Sequence, residues 1–309
     1  VAVLAGGLSH EREVSLRSGR RIAADLRDTG AVVAEWDSDA DLLDRLRDER
    51  PEAVVVALHG GDGENGSVQT VLELLGIPFV GADSRACRRA WDKPTAKAEL
   101  VRAGLTTPGW VVLPHAVFRE LGARAVLDAI VSQLGLPLIV KPDQGGSALG
   151  TQLVHDAADL PAAMVDCLAY GSAVLVEQFV AGTEVAVSVC ADPEPRALPV
   201  VEISPRSGVY DYAARYTPGA TTFHCPARLS PSILAKAQQT ALDAHRALGL
   251  RDLSRTDAIV SPDGVVHLLE VNVCPGLTRT SLLPTAVGAA GEHLGRLFSD
   301  LIDGAVQRG

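Results

Sequence analysis

The dipeptide Asp263-Gly264 lies between two apolar, β-branched runs, Ala258-Ile259-Val260 and Val265-Val266-His267-Leu268-Leu269. That pattern is a strong short-range signal for a β-hairpin. A two-residue turn there pairs 262 with 265, and counting back places Asp257 opposite Glu270. Side chains alternate faces along a strand, so Glu270 and Asn272 share a face and Asp257 joins them from the neighbouring strand. Carboxylates held that close repel unless a cation sits between them. Hard oxygen donors with no nearby sulfur–nitrogen set point to Mg²⁺ or Mn²⁺. Spacing alone also allows a solvated polar sheet face, and both readings stay open on this ground.

The chain has 309 residues, 47% apolar and 21% charged, an ordinary soluble balance with length for two or three domains. No apolar run reaches the ~18 residues of a membrane span, and the N-terminus reads as a strand rather than a signal peptide. Net charge is −10 without a basic cluster, which argues against nucleic acid as a main partner. An anionic ligand would need a local cationic pocket. The five cysteines, Cys87, Cys167, Cys190, Cys225 and Cys274, are scattered and show no metal-ligand spacing, as expected for a reducing, cytosolic setting. Only four of 28 basic residues are lysines: Lys93, Lys97, Lys141 and Lys236. Lys141 ends the apolar run Leu136-Pro137-Leu138-Ile139-Val140. A compact ammonium for phosphate contact is one reason to place it there.

Residues 1–94 alternate short apolar runs with helical segments. Strands are expected at 1–5, 32–36, 53–58 and 78–80, with helices at 11–27, 41–49 and 67–75. This order predicts an α/β unit with a doubly wound parallel sheet. Ligands bind such sheets at the carboxyl ends of the strands, where Gly6-Gly7 and the glycine-rich stretch 60–66 fall. Further on, helices are expected at 95–103, 123–134, 231–248 and 285–307, with strands at 108–113, 137–141 and 174–177.

Lys141 and the loop Gln144-Gly145-Gly146-Ser147-Ala148-Leu149-Gly150 have the parts of a phosphate grip, although no Walker A ending is present. A plain hairpin loop is the other reading. Glu11 either favours the dipole at a helix start or faces a cleft. His59 ends a strand beside glycines, where a structural hydrogen bond and a binding role are both open. Arg255 shares the face of Asp257; a plain ion pair with it and stabilisation of charge developing on a transferred phosphoryl group are both open readings. No nucleophile elbow or Ser-His-Asp order is present, so acyl-enzyme hydrolysis has no support.

Taken in order, the motifs are Glu11-Arg12-Glu13-Val14-Ser15, His59-Gly60 with Gly63-Glu64, Asp92-Lys93, Lys141-Pro142, Gly146-Ser147 and Glu177. Tyr210-Asp211-Tyr212 with Tyr216, Cys225-Pro226-Ala227, Arg255 with Asp257, Glu270-Val271-Asn272, Pro275-Gly276, Thr278 and Ser281-Leu282 follow. The set resembles the D-alanine–D-alanine ligases, an ATP-grasp family, over nearly the whole chain.

The resemblance implies a three-domain ATP-grasp fold: an N-terminal substrate-binding α/β domain (1–94), a central lid domain (95–180) and a C-terminal catalytic α+β domain (181–309). It implies ATP-dependent formation of D-alanyl-D-alanine through a D-alanyl phosphate for peptidoglycan precursors, in a cytoplasmic homodimer without nucleic-acid or membrane partners. By matching position, Lys93, Lys141 and Ser147 would contact ATP phosphates. Glu177, Gln178, Phe179 and Val180 would line the adenine pocket, and Glu184 would take the ribose hydroxyls. Asp257, Glu270 and Asn272 would bind two Mg²⁺ or Mn²⁺ ions. Glu11 and His59 would serve the first substrate, and Ser281 with Leu282 the second. Arg255 and the Gly276 N–H would stabilise the oxyanion, while Ser147 and Tyr216 would close the site. Ala148, Arg215, Asn65, Trp91, Val273-Cys274 and Leu277 depart from the usual pattern. They leave a paralogue with a different acceptor, in antibiotic biosynthesis or self-protection, as the alternative. Tyr216 favours an amine over D-lactate as the attacking group.

Overall fold

The computed structural model describes residues 1–191, 194–206, 208–217 and 219–309, with every side chain among them except those of Arg119 and Tyr216. Among the described residues three sheets follow one another along the chain. The first contains β1 (Ala2–Ala5), β2 (Ala34–Asp37), β3 (Val54–Val56) and β4 (Phe79–Val80), connected by α1 (Arg12–Asp28), α2 (Leu42–Glu49) and α3 (Ser67–Leu75). Its order is β2-β1-β3-β4, parallel throughout, the doubly wound arrangement expected from the sequence. β1 and β3 are buried at every position, which is why they read as unbroken apolar runs. α1 lies close on β1 because Gly19 has no side chain; a Cβ there would come 2.4 Å from the Ala5 Cβ. The Ser15 hydroxyl accepts from Gly6 N–H and donates to Ala57 O, both at 2.8 Å, tying the helix to the carboxyl ends of both strands.

Two capped helices follow. Asp83 caps α4 (Ser84–Trp91) by accepting from the N–H groups of Arg85 and Ala86, and Asp92 caps α5 (Lys93–Arg102) through the Thr95 N–H. The central sheet is antiparallel, in order β5-β8-β6-β7. Its elements run β5 (Trp110–Pro114), α6 (His115–Leu121), α7 (Ala123–Leu134), β6 (Leu138–Pro142), β7 (Gln152–Val154), α8 (Leu160–Cys167) and β8 (Ala173–Gln178). Leu138, Val140, Val174 and Val176 form its core with Ile130, Leu134, Leu160 and Met164.

The third sheet comprises β9 (Thr183–Ala191), β10 (Pro195–Ala197), β11 (Val201–Pro205), β12 (Thr221–His224), β13 (Leu253–Val260) and β14 (Val266–Asn272). Its order is β12-β11-β9-β13-β14, with β10 on β9. The helices of this region are α9 (Tyr212–Tyr216), α10 (Pro231–Ala247), α11 (Leu282–Ala289) and α12 (Leu294–Arg308). α11 and α12 share one hydrophobic core with the first sheet, α1 and the third sheet. α4 and α5 pack through Ala86, Ala96 and Leu100 against Ala244, Leu268 and Val271 of the C-terminal region.

Two sequence expectations are corrected. The single helix expected over 285–307 is the pair α11 and α12. Gly291 takes φ +75°, its N–H bonds to Gly288 O, and the Glu292 N–H bonds back to Val287 O at 3.1 Å. This is a Schellman end, which terminates a helix that apolar periodicity alone would continue. The two-residue turn at Asp263-Gly264 is a three-residue loop, 262–264, closed by the Ser261 N–H to Val265 O bond at 3.0 Å. Gly264 supplies the left-handed residue, φ +78°. The pairing near the loop is therefore Val260 with Val266, one residue off the expected register. A bulge between Asp257 and Ala258, opposite the extra residue Leu269, shifts it back. Asp257 faces Glu270 as expected, by a different route.

Candidate active site

The first cluster lies on β13 and β14. Arg255 pairs with Asn272, and Asp257 with Glu270. The Arg255 guanidinium grips Asp257 in a fork, Nε to Oδ1 at 2.7 Å and Nη2 to Oδ2 at 2.8 Å, and Asn272 Nδ2 donates to the same Oδ2 at 3.2 Å. The ion-pair reading of Arg255 is thus realised. The Glu270 carboxylate accepts no hydrogen bond from the described residues. Burial alone would raise its pKa, but Lys93, Lys141, Arg215 and Arg255 more than offset that and hold it below the usual carboxylate range. An ionised, unbonded carboxylate beside a second carboxylate and an amide suits a divalent cation. Among the described residues no three His, Cys, Asp or Glu side chains form a metal-sized group. This patch holds two carboxylates and one amide, leaving coordination positions for ligand oxygens.

The second cluster lines a cavity of about 370 Å³ between the central and third sheets. Lys93, Lys141, Glu177–Val180, Glu184, Asp257 and Glu270 face it. Lys93 is the first residue of α5, so the Asp92 cap aims its side chain across to Gly145 O, 2.7 Å away. Lys141, on β6, ion-pairs with Glu177 Oε2 at 2.7 Å, and Lys97 pairs with Glu177 Oε1 at the same distance. All three are buried. Gln178 is turned to the scaffold, donating to Leu134 O and accepting from the Gly109 N–H. The Phe179 N–H is bonded to Pro137 O. Burial pushes the Glu184 carboxyl up to about 7. The loop 144–150 links the antiparallel neighbours β6 and β7, so it is a hairpin loop as well as the cavity's flap.

The third cluster lines an adjoining cavity of about 810 Å³; Gly146, Tyr210 and Arg215 wall both. Glu11 sits at the N-cap position of α1 but makes no capping bond. Instead its carboxylate accepts a short hydrogen bond from the Ser147 hydroxyl, reaching across the cleft. Ser147 takes φ +53° to do so, an uncommon conformation for a residue with a side chain. His59 is buried, with Nε2 2.8 Å from Ser18 Oγ, which also accepts the Leu277 N–H. Burial pushes the imidazole down to about 4, so it is neutral at pH 7. Glu64 lies behind it and accepts the Gly60 N–H; burial and the Glu11 charge raise its carboxyl. The Ser281 hydroxyl is 2.8 Å from Thr278 Oγ1 and also accepts the Thr278 N–H. A Cβ on Gly276 would lie 2.9 Å from Ser281 Oγ. Leu282 lines this cavity at the first turn of α11 although its side chain is in the core.

The family model described as D-ala D-ala ligase C-terminus matches residues 100–303. The chain belongs to the D-alanine–D-alanine ligase family. It is 43% identical to the D-alanine–D-alanine ligase of Desulforudis audaxviator over 97% of this chain and 98% of that protein. It is 38% identical to that of Moorella thermoacetica over 99% of both. Among solved structures, the Bacillus anthracis D-alanine–D-alanine ligase complexed with ATP superposes with a TM-score of 0.83 at 28% identity, covering 99% of this chain and 97% of that one. A D-Ala:D-Ser ligase from Enterococcus faecalis gives 0.83 at 27%, covering 99% and 98%. As a member of this family the chain is an ATP-dependent, ADP-forming ligase with an ATP-grasp fold.

The ligase fold brings every described candidate to the two cavities or their shared wall. Tyr216 closes α9, but its side chain lies outside the described residues. Three residues of the site were not among the sequence candidates. Lys97 meets Glu177, Glu64 stands behind His59, and Arg215 stacks 4.3 Å over the Tyr210 ring between the cavities. The scarcity of lysine was a usable signal for the first: three of the four lysines converge here.

Proposed function

We propose that this chain joins two D-alanine molecules at the expense of ATP, supplying D-alanyl-D-alanine for peptidoglycan. The observation that carries the reading is the shared wall: a cavity of about 370 Å³ lined by Lys93, Lys141 and Glu270 opens beside one of about 810 Å³ lined by Glu11, His59 and Ser281, and the Ser147–Glu11 bond closes the flap between them. In the smaller cavity Lys93 and Lys141 would hold the phosphates, Glu177–Val180 would line the adenine and Glu184 would meet the ribose. Asp257, Glu270 and Asn272 would hold two Mg²⁺ or Mn²⁺ ions, which supply charge neutralisation for the polyphosphate.

In the larger cavity Glu11 would bind the first ammonium, beside a neutral His59. The γ-phosphoryl passes to the first D-alanine's carboxylate, giving an acyl phosphate and ADP. That step supplies the leaving group a carboxylate lacks. The second D-alanine's amine attacks the carbonyl, and phosphate departs as the tetrahedral centre collapses. Arg255 and the Gly276 N–H would stabilise the oxyanion. Ser281 and the uncapped N-terminal backbone of α11 at Leu282 would hold the second carboxylate. Ser147 and Tyr216 would exclude water, which hydrolyses acyl phosphates.

We assign the division 1–94, 95–180 and 181–309, a homodimeric state and a cytoplasmic location to the same reading. Among the described residues no helix is long and apolar enough to cross a membrane. The test is phosphate release and dipeptide formation from ATP and Mg²⁺ across D-amino acids and D-lactate. D-alanine is expected to support turnover as sole amino acid; turnover only with another acid would reject it.

A further inference from the structure

Among the described residues Lys97 lines neither cavity. It is 1% exposed, among the largest fully buried side chains of the protein, and carries a charge. Its Nζ lies 2.7 Å from Glu177 Oε1, while Lys141 Nζ lies 2.7 Å from Oε2 of the same carboxylate. Two ammonium groups therefore share one buried carboxylate. They are not equivalent. Lys141 lines the nucleotide cavity beside Glu270. Lys97 is anchored away from it: its Nζ makes a short bond to the Thr107 hydroxyl, which donates to Leu268 O at 2.8 Å. The Leu268 N–H in turn bonds to Thr106 O at 2.8 Å. The anchor thus sits at the bulge that places Glu270.

This asymmetry has a consequence when polyphosphate enters. A polyphosphate beside Lys141 would compete with Glu177 for its ammonium charge. A buried carboxylate abandoned by its only cation is strongly unfavourable. Without a second cation, Lys141 would stay on Glu177 and be withheld from the nucleotide.

We propose that Lys97 is a positioning residue of the nucleotide site: it remains with Glu177 as a fixed counter-ion and so frees Lys141 for phosphate. This rests on the ATP-site reading above, and it adds a role for a lysine that touches no substrate. Glu177 is then a relay carboxylate held by two cations at rest and by one when nucleotide is bound.

The experiment is a double-mutant cycle on Lys97 and Glu177 in the full-length enzyme, read by calorimetric ATP binding with Mg²⁺ and by steady-state kinetics. Lys97→Met is expected to weaken ATP binding by about tenfold or more, with the KM for D-alanine within about twofold of wild type. Lys97→Arg, which keeps the charge, is expected to recover most of the loss. In the Glu177→Gln background no carboxylate needs a counter-ion, so adding Lys97→Met is expected to cost less than about threefold. That comparison holds even if Lys97→Met alone folds poorly. A tenfold further loss in the Glu177→Gln background, or wild-type ATP affinity in Lys97→Met, would overturn the proposal. Absence of ATP binding by the wild-type protein would instead reject the ATP-site reading itself.

Discussion

Asp257 faces Glu270 across the β13–β14 pair because two one-residue irregularities cancel. The three-residue loop at 262–264 moves the register by one, and the bulge at Leu269 moves it back. A one-residue slip in a strand turns every side chain to the other face. With the loop alone, Glu270 would face away from Asp257 and Arg255.

The loop end of this arrangement depends on Gly264. Its φ is +78°, and a Cβ there would come 2.8 Å from Ile233 Cδ1, the flexible tip of a side chain on α10. Gly264→Ala is therefore expected to lower stability by about 1 kcal/mol, mostly through the left-handed backbone. Urea unfolding reads this, and kcat of the folded variant should stay near wild type.

The Glu270 carboxylate has no hydrogen-bonding partner among the described residues and four cations near it. If it serves the metal-bound polyphosphate, Glu270→Gln should lower kcat by about 10²-fold or more, the scale of removing one preorganised charge contact. Mn²⁺ binding in the presence of ATP, followed by paramagnetic resonance, should weaken in parallel. Unchanged metal binding would remove Glu270 from the ligand set.

Gly146 offers a separate handle on the substrate side. A Cβ there would lie 2.6 Å from Glu11 Oε2, the end of a flexible side chain. The fold can absorb Gly146→Ala by moving Glu11, but Glu11 then loses its place. If Glu11 binds the first ammonium, the expected result is a kcat/KM for D-alanine lower by about tenfold to a hundredfold, the scale of misplacing a binding group by about 1 Å. ATP affinity should change by less than about twofold. Equal losses for both substrates would place the effect in the flap rather than in Glu11.

His245 gives a pH signature away from the site. It is buried on α10, with Nδ1 2.8 Å from Ser254 Oγ, and burial pushes it from 6.5 down to about 4. The folded value lies below the unfolded one, so the unfolded chain binds the proton first as pH falls. Stability from this residue is full above about 6.5 and falls towards 4. Relative to His245→Gln, wild type should lose about 2 kcal/mol between pH 7 and pH 5. Parallel stability profiles for the two proteins would contradict the buried, neutral imidazole.

Much of the site was legible because its signals are local. Glycine loops, a turn dipeptide and acidic residues at strand spacing need only a few residues to be read. The pairing of Asp257 with Glu270 is legible from the sequence, but through a turn of the wrong length. Turn chemistry at Asp-Gly suits two- and three-residue loops alike, and a bulge leaves no mark in composition. Lys97 escaped because burial of α5 is a tertiary event. Its stretch Lys93-Pro94-Thr95-Ala96-Lys97-Ala98-Glu99-Leu100 reads as a polar surface helix, whereas in the fold Ala96 and Leu100 pack on the C-terminal core and Lys97 meets Glu177 and Thr107. The break between α11 and α12 was obscured by apolar periodicity that continues through Gly291.

The central claim is ligation through an acyl phosphate built from one D-alanine. The most direct measurement uses D-alanine labelled with ¹⁸O in its carboxylate, with mass analysis of the phosphate released alongside dipeptide. One labelled oxygen is expected in each phosphate, carried from the carboxylate that was activated. Dipeptide formed with unlabelled phosphate would contradict the claim.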